Sequence, residues 1–430
     1  MSIENNSTIE QSRNMPKGDA QSVPKGWVES TLGEVGRVVT GKTPSKNNPD
    51  DWGDKYDFIT PSEIGGNNKY IYNTPRKLSD IGFERFSRMI LPENSIIVTC
   101  IGSDMGKVVL NKYKALTNQQ INSIIVNEDN YFDFIYYLLK NAYRILRRNA
   151  EGSGSTMPIL NKGNFENLSF TIPKSLEEQK AIAQILTAFD DKIELLQAQN
   201  KTLETTAQTI FKEWFGKYKI GDELPEGWRV GRLGEEFNIT IGRTPPRKEK
   251  EWFSNTPIGK KWISIKDIGN SGAYISNTAE YLTNKAIERF NIPIIPKNTT
   301  ILSFKMTVGK LTITTEDMLS NEAIAHLKLK QNTVLSSEFI YLYLQDLDFN
   351  ALGSTSSIVT AINSTMIKYL EFLMPEKNIL LQFDELIKPI FDKIYNNTTQ
   401  IQTLKQTRDT LLPKLMSGQL RVDEFKERAV

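Results

Sequence analysis

Histidine and cysteine are all but missing from this chain, whose 430 residues hold one of each, His326 and Cys100. One cysteine excludes an internal disulfide framework and a cysteine-rich metal site, and it favours a reducing compartment. One histidine excludes paired-imidazole catalysis, an HExxH helix and a histidine-built zinc centre. That histidine lies in the apolar run 323–329, where a strand position with a satisfied hydrogen bond is expected. Long apolar stretches are missing too, and none approaches the ~20 residues that a membrane-spanning helix requires. Residues 1–22 are polar (Asn5, Asn6, Ser7, Gln11, Ser12) and hold no apolar core, so a disordered lead-in is expected there rather than a signal or an anchor. These absences point to the cytoplasm and away from membranes. Neither sign of charge dominates, because 53 Lys and Arg stand against 51 Asp and Glu for a net charge of +2. So even a balance argues against strong unaided binding to nucleic acid and leaves room for a partner to contribute.

Catalytic motifs are missing as well. No glycine-rich strand-loop-helix is present for a dinucleotide or S-adenosylmethionine. The only Pro-Pro pair, Pro245-Pro246, lies between Thr244 and Arg247, whereas an amino-methyltransferase loop needs Asn or Asp before it and an aromatic after it. The run Ile101-Gly102-Ser103-Asp104-Met105-Gly106-Lys107 approaches a phosphate-binding loop but falls one residue short and lacks the Ser/Thr after lysine. Asp50, Asp51 and Asp54 cluster beside Pro49 and read as a solvated turn rather than a metal site. No catalytic or metal-binding residue, and no cofactor, is therefore assigned to this chain.

What is present is a repeat. Pro24, Gly26, Trp27, Leu32, Gly33 and Glu34 return 201 residues later as Pro225, Gly227, Trp228, Leu233, Gly234 and Glu235, and Gly41, Thr43 and Pro44 return as Gly242, Thr244 and Pro245. Further along, Ser62-Glu63-Ile64-Gly65 matches Lys266-Asp267-Ile268-Gly269 and Leu91-Pro92-Glu93-Asn94 matches Ile295-Pro296-Lys297-Asn298 at a displacement of 204, as a small insertion in the second copy would give. The second copy keeps Gly309-Lys310 but puts Lys305 where Gly102 stands, as a shared strand-turn-strand would and a nucleotide cradle would not. Short strands, one or two helices and long polar loops make each copy an α/β domain on a curved sheet. Two copies that diverge between common landmarks imply two similar surfaces facing different targets.

Each copy ends in a long amphipathic helix. Leu186, Phe189, Ile193, Leu196, Asn200, Leu203, Ala207, Ile210 and Trp214 follow heptad spacing, and Ile387, Ile390, Ile394, Asn397, Ile401, Leu404, Arg408, Leu411 and Leu415 keep the same phase 201 residues later. Alone, each helix would leave a long apolar stripe wet, so an antiparallel coiled coil between them is expected, with pseudo-twofold symmetry. Ser175 with Glu178 reads as a capping box for the first helix, and Gly216 and Gly418 as the two stops. Asn200 and Asn397 interrupt the seam, either fixing its register or facing a partner or water. The expected layout is a lead-in at 1–22, domains at 23–174 and 224–376, helices at 175–216 and 377–418, a linker at 217–223 and a tail at 419–430.

The order of these motifs resembles the specificity subunit of type I restriction-modification systems. It is carried by the twice-recurring Gly-Trp…Leu-Gly-Glu and Gly-Lys/Arg-Thr-Pro, by Thr117-Asn118-Gln119-Gln120, by Glu177-Glu178-Gln179-Lys180-Ala181-Ile182-Ala183 after Ile172-Pro173, and by Leu411-Leu412-Pro413-Lys414-Leu415-Met416-Ser417-Gly418. The second copy departs from it with Ser320-Asn321-Glu322-Ala323 and with Leu381-Gln382-Phe383-Asp384, which puts roles of Gln119 and Gln179 in doubt there. The resemblance implies a non-catalytic bacterial or archaeal protein with two target recognition domains that read a split, asymmetric site in double-stranded DNA. It also implies docking of two methyltransferase subunits and of restriction/translocase subunits, with S-adenosylmethionine, ATP and magnesium belonging to those partners.

Arg and Lys pair with guanine edges and Asn and Gln with adenine, so polar loops are the candidates for DNA contact. In the first domain these are Lys42, Thr43, Lys46 and Ser62, with Ser153, Ser155 and Thr156 of the loop 152–156. In the second they are Arg243, Thr244, Arg247, Lys248 and Lys266, with Ser354, Thr355 and Ser356. Residues common to both copies suit a backbone clamp, and divergent ones must carry sequence preference. Basic runs at Lys140, Arg144, Arg147 and Arg148 and around Lys250 serve equally as solvated surface. The competing reading is a coiled-coil tether binding proteins at its two ends, with Trp52, Trp252, Tyr70 and Tyr72 as exposed aromatics.

Overall fold

A computed structural model describes residues 23–65, 68–151, 158–349 and 363–422. The chain divides into two compact units, one holding the residues through Asp190 together with those from Arg408 on, the other Asp191–Thr407.

In the first unit a five-stranded sheet runs in the order Gly36–Thr40, Ile121–Val126, Ile96–Thr99, Val108–Asn111, Tyr70–Ile71, antiparallel except for its last pair. Its central strand is the apolar run Ile96-Ile97-Val98, and strand alternation sends Ile96 and Val98 into the core under the helix Phe132–Asn141 while Ile97 enters a second core on the other face. That second face is covered by a small sheet in the order Trp52–Gly53, Lys77–Leu78, Tyr56–Ile59, Ala115–Thr117. A two-stranded ribbon of Trp27–Thr31 and Ser169–Pro173 ties the start of the domain to its end. The second unit repeats all three sheets in the same order, its five-stranded sheet running Phe237–Ile241, Ile324–Leu329, Thr300–Ser303, Leu311–Thr314, Tyr274–Ile275. The paired Pro-x-Asn turns keep the same strained residue, Asn94 at φ 61° and Asn298 at φ 57°, a conformation that asparagine tolerates better than most side chains.

The phosphate-loop look-alike is an antiparallel hairpin turn between Ile96–Thr99 and Val108–Asn111, and Lys107 pairs with Asp104 at 2.7 Å. His326 lies wholly buried in the strand Ile324–Leu329, between Thr240 Oγ1 at 2.9 Å from Nδ1 and Ser320 Oγ at 2.7 Å from Nε2. Burial, reinforced by Lys328, pushes its pKa down to about 3, so it is neutral at physiological pH. Asp51 corrects the expectation of a solvated turn, because it is wholly buried and pairs with Arg85 Nη1 at 2.7 Å. Trp252 is buried against Phe290, and Trp52 is half-buried edge-on to Phe58, so neither is the exposed aromatic that the sequence suggests.

The two long helices are Leu176–Phe215 and Lys377–Met416. Ser175 Oγ accepts the Glu178 amide at 3.3 Å, while the Glu178 carboxylate accepts from Trp27 Nε1 at 3.1 Å and pairs with Arg421 at 3.2 Å. Within the second unit the helices run antiparallel, since Asn200 meets Asn397 while Phe211 and Phe215 pack on Phe383. Asn397 donates to Asn200 Oδ1 at 2.9 Å and Asn200 donates to Thr398 Oγ1 at 3.3 Å, so these seam residues satisfy each other. The first unit holds a different polar layer, in which Arg408 pairs with Asp190, and Asp190 also accepts from Tyr137 at 2.7 Å. Nearby, buried Lys69 pairs with buried Asp133 at 2.7 Å. At the matching positions of the second unit stand Phe391 for Asp190, Ala207 for Arg408, Tyr341 for Tyr137, Ala273 for Lys69 and Ser337 for Asp133, all buried. One helix-domain junction is thus ionic and its repeat is largely apolar.

Candidate nucleic-acid interface

Each domain builds the same latch at the loop that follows its first sheet strand. Gly41 sits so close to the loop 117–119 that a Cβ there would lie 2.3 Å from the Thr117 and Asn118 carbonyl oxygens, and one at Gly242 would lie 2.2 Å from that of Ser320 and 2.3 Å from that of Asn321. The next residue closes the contact: the Lys42 amide donates to Thr117 O at 2.9 Å and the Arg243 amide to Ser320 O at 2.9 Å. The threonine hydroxyl completes it, Thr43 donating to Gln119 Oε1 at 2.6 Å and Thr244 to Glu322 Oε2. Glu322 therefore does in the second domain what Gln119 does in the first, and the departure in the second copy preserves the latch. Burial would raise the Glu322 carboxyl, but the Thr244 hydroxyl, its own backbone amide and the charges of Lys305 and Arg247 outweigh this and hold it below its ordinary value. Gln179 serves a different purpose. Its side-chain amide accepts from the Tyr131 N–H at 2.8 Å and donates to Asn130 at 3.0 Å and Pro173 O at 2.9 Å, pinning the long helix to the domain. Buried Leu380 replaces it in the second unit, so that role is confined to the first.

The latch aims Lys42 and Thr43 into a cleft of about 550 Å³, lined also by Asn48, Arg85, Phe86 and Arg88. Among the described residues, three cations and no carboxylate line it. Arg85 ends the short helix Asp80–Arg85 and is held by buried Asp51, which fixes one edge of its guanidinium. The matching Arg289 ends Asn284–Arg289 and lies instead over the Trp252 ring, 5.3 Å from its centroid. Arg243 reaches across the equivalent place in the second domain and donates to Phe290 O at 3.1 Å.

The other expected contact residues fall as follows. Lys46 and Lys248 are exposed on the continuation of the two latch loops. Ser62 is exposed, with its hydroxyl between Thr60 Oγ1 at 2.8 Å and Glu63 Oε1 at 2.9 Å, and Lys266 is exposed on the short helix Ile265–Gly269. Arg247 is occupied, bonded to both oxygens of Glu280 at 2.9 and 2.8 Å and stacked over Trp262 at 4.5 Å. Ser153, Ser155, Thr156, Ser354, Thr355 and Ser356 lie outside the described residues. Sequence reasoning missed Arg85 and Arg88; Arg85 was discoverable, because Arg85-Phe86 recurs as Arg289-Phe290 at the displacement already established. Among the described residues no group of three or more His, Cys, Asp or Glu could hold a metal ion, and no helix is long and apolar enough to cross a membrane.

Two matching α/β domains, each packed against a long helix, with a cation-lined cleft in the first, define a modular protein suited to a polyanion. The family model for the type I restriction modification DNA specificity domain matches twice, over residues 24–205 and 225–408. The chain is similar to the type I restriction enzyme MjaIX specificity subunit of Methanocaldococcus jannaschii, 29% identical over 95% of this chain and 96% of the relative. It is also similar to the HindI specificity subunit of Haemophilus influenzae, 23% identical over 92% and 99% of the two chains. Among solved structures, a type I restriction-modification S subunit from M. genitalium shares the fold, with a TM-score of 0.55 and 18% identity over 90% of this chain and 96% of that one. The chain belongs to the family of type I restriction enzyme specificity subunits, with two DNA specificity domains in its length.

Proposed function

We propose that each domain reads one half of a split, asymmetric site in double-stranded DNA, and that the long helices dock two adenine methyltransferase subunits and, where present, restriction/translocase subunits. The observation that carries this reading is the pairing of an identical latch with divergent surroundings: Gly-Lys/Arg-Thr-Pro is built the same way twice, while the residues around it differ. Shared contacts suit phosphates, which look alike in both half-sites, and divergent contacts suit bases. On this reading Lys42, Thr43, Arg243 and Thr244 clamp backbone, and Lys46, Ser62, Lys248, Lys266 and the loops 152–156 and 353–357 contribute to the two readers. Arg247, paired with Glu280, shapes the second reader from behind. The chain itself performs no chemistry, and S-adenosylmethionine, ATP and magnesium are used by its partners.

The test is long-read methylation sequencing of DNA from cells with and without this gene, alongside its methyltransferase. A split adenine-methylation motif that disappears with the gene is the expected result. A methylation pattern indifferent to the gene would favour the protein-binding tether instead. The same assay measures spacing: a 40-residue helix spans about 60 Å, against ~34 Å for one turn of DNA. Deleting one heptad from each helix, about 10 Å of rise, is expected to shorten the unspecific spacer, and an unchanged spacer would refute the ruler.

A further inference from the structure

We infer that Arg88 is a specificity-determining residue of the first domain and that it reads a guanine. The inference rests on the DNA-reading function proposed above and deepens it to one side chain and one base. Three cations face the first-domain cleft, and comparison with the second domain separates them. Lys42 has Arg243 as its counterpart, and Arg85 has Arg289, so both belong to the equipment the two readers share. Arg88 does not: at the same displacement of 204 stands Ile292, with Phe86 matched to Phe290 on one side and Leu91 to Ile295 on the other. Ile292 is 4% exposed and packs in an apolar core with Trp252 and Leu282. The second domain thus spends on its own interior the position that the first presents to the cleft.

Of the two arginines on the cleft, Arg88 is also the one left uncommitted. Arg85 is committed on one edge to Asp51. Arg88 lies in the one-turn segment Ser87–Met89, exposed, with no hydrogen bond or ion pair among the described residues. An arginine in a cleft without carboxylates keeps its planar donor fork intact, and guanine, through O6 and N7, is the base edge that accepts two parallel bonds from such a fork. Lys42 and Arg85 on the same wall supply the backbone contacts that would hold the groove in register.

The experiment compares methylation motifs in cells carrying the wild-type chain, Arg88→Ala or Arg85→Ala, each with the partner subunits. For Arg88→Ala the expected result is a motif that becomes degenerate at a single G·C position of one half-site, with preference at that position falling about tenfold or more, while the other half-site keeps its sequence. For Arg85→Ala the expected result is weaker methylation at every site with the sequence retained. An unchanged motif for Arg88→Ala, an even loss over all sites, or relaxation at an A·T position would overturn the assignment while leaving the DNA-reading function intact. Absence of any split motif with the wild-type chain would overturn that function and this inference together. Arg88 is exposed, so an unchanged thermal unfolding curve of the purified variant serves as the control for fold.

Discussion

Arg408→Ala is expected to destabilise the first unit by about 3 kcal/mol and to lower its melting temperature by roughly 10 °C. Arg408 and Asp190 are both nearly buried, with side-chain exposures of 6% and 8%, and pair directly, while exposed Asp409 also pairs with Arg408 at 2.8 Å. Removing one ion from such a pair leaves the other desolvated and uncompensated, which costs far more than the pair contributes when intact. Tyr137 at 2.7 Å and Lys140 at 3.9 Å remain to face Asp190, which places the expected loss at the lower end of the usual range. The repeat supplies the rescue: Phe391 and Ala207 occupy the same two positions in the second unit, beside Tyr341. Asp190→Phe with Arg408→Ala installs that apolar pair, and the double variant is expected to recover most of the lost stability. Chemical denaturation of the full chain decides the matter. A double variant less stable than Arg408→Ala alone would show that the ionic layer is specified by its surroundings in the first unit and cannot be exchanged for its counterpart.

The difference between these two junctions was only partly legible in the sequence. Heptad spacing placed Arg408 and Asn397 in the seam, because a 3.5-residue period sustained over many turns survives single polar interruptions. It could not say that Asn397 meets Asn200 or that Arg408 meets Asp190, since a period fixes the face of a helix but not the residue opposite. The same limit applies to the sheets. Ile96–Thr99 and Thr300–Ser303 announce themselves as apolar runs after Pro-x-Asn turns, whereas the small sheets use strands such as Trp52–Gly53, Lys77–Leu78 and Phe253–Ser254, too short to carry any alternation. Asp51 was misread for a related reason: its neighbours in sequence are polar, and the Arg85 that buries it comes back from 34 residues away. At the interface, sequence found the latch because glycine and threonine recur at one displacement, and it overestimated Arg247 because nothing local reveals that Glu280 will meet it.

Gly41→Ala and Gly242→Ala are expected to disable the two readers one at a time. A Cβ at Gly41 would lie 2.3 Å from two backbone carbonyl oxygens and from Thr117 Oγ1, and one at Gly242 2.2 Å from Ser320 O and Oγ and 2.3 Å from Asn321 O. Backbone atoms at that distance have no rotamer to escape into, so the two loops must part, breaking the Lys42 to Thr117 and Thr43 to Gln119 bonds in one domain or the Arg243 to Ser320 and Thr244 to Glu322 bonds in the other. Overpacking of this kind costs about 3 kcal/mol. The functional loss is expected to exceed what that figure implies, because the displaced loop carries Lys42 away from its cleft or Arg243 away from Phe290 O. Gly65→Ala is the control, since a Cβ there meets nothing within 4 Å; it is expected to change stability by less than about 0.5 kcal/mol. Methylation sequencing separates the domains: Gly41→Ala should erase sequence preference in one half-site and Gly242→Ala in the other, each leaving the opposite half readable. If both substitutions damaged the same half-site, the assignment of one latch to each reader would fall, whatever the stability measurements showed.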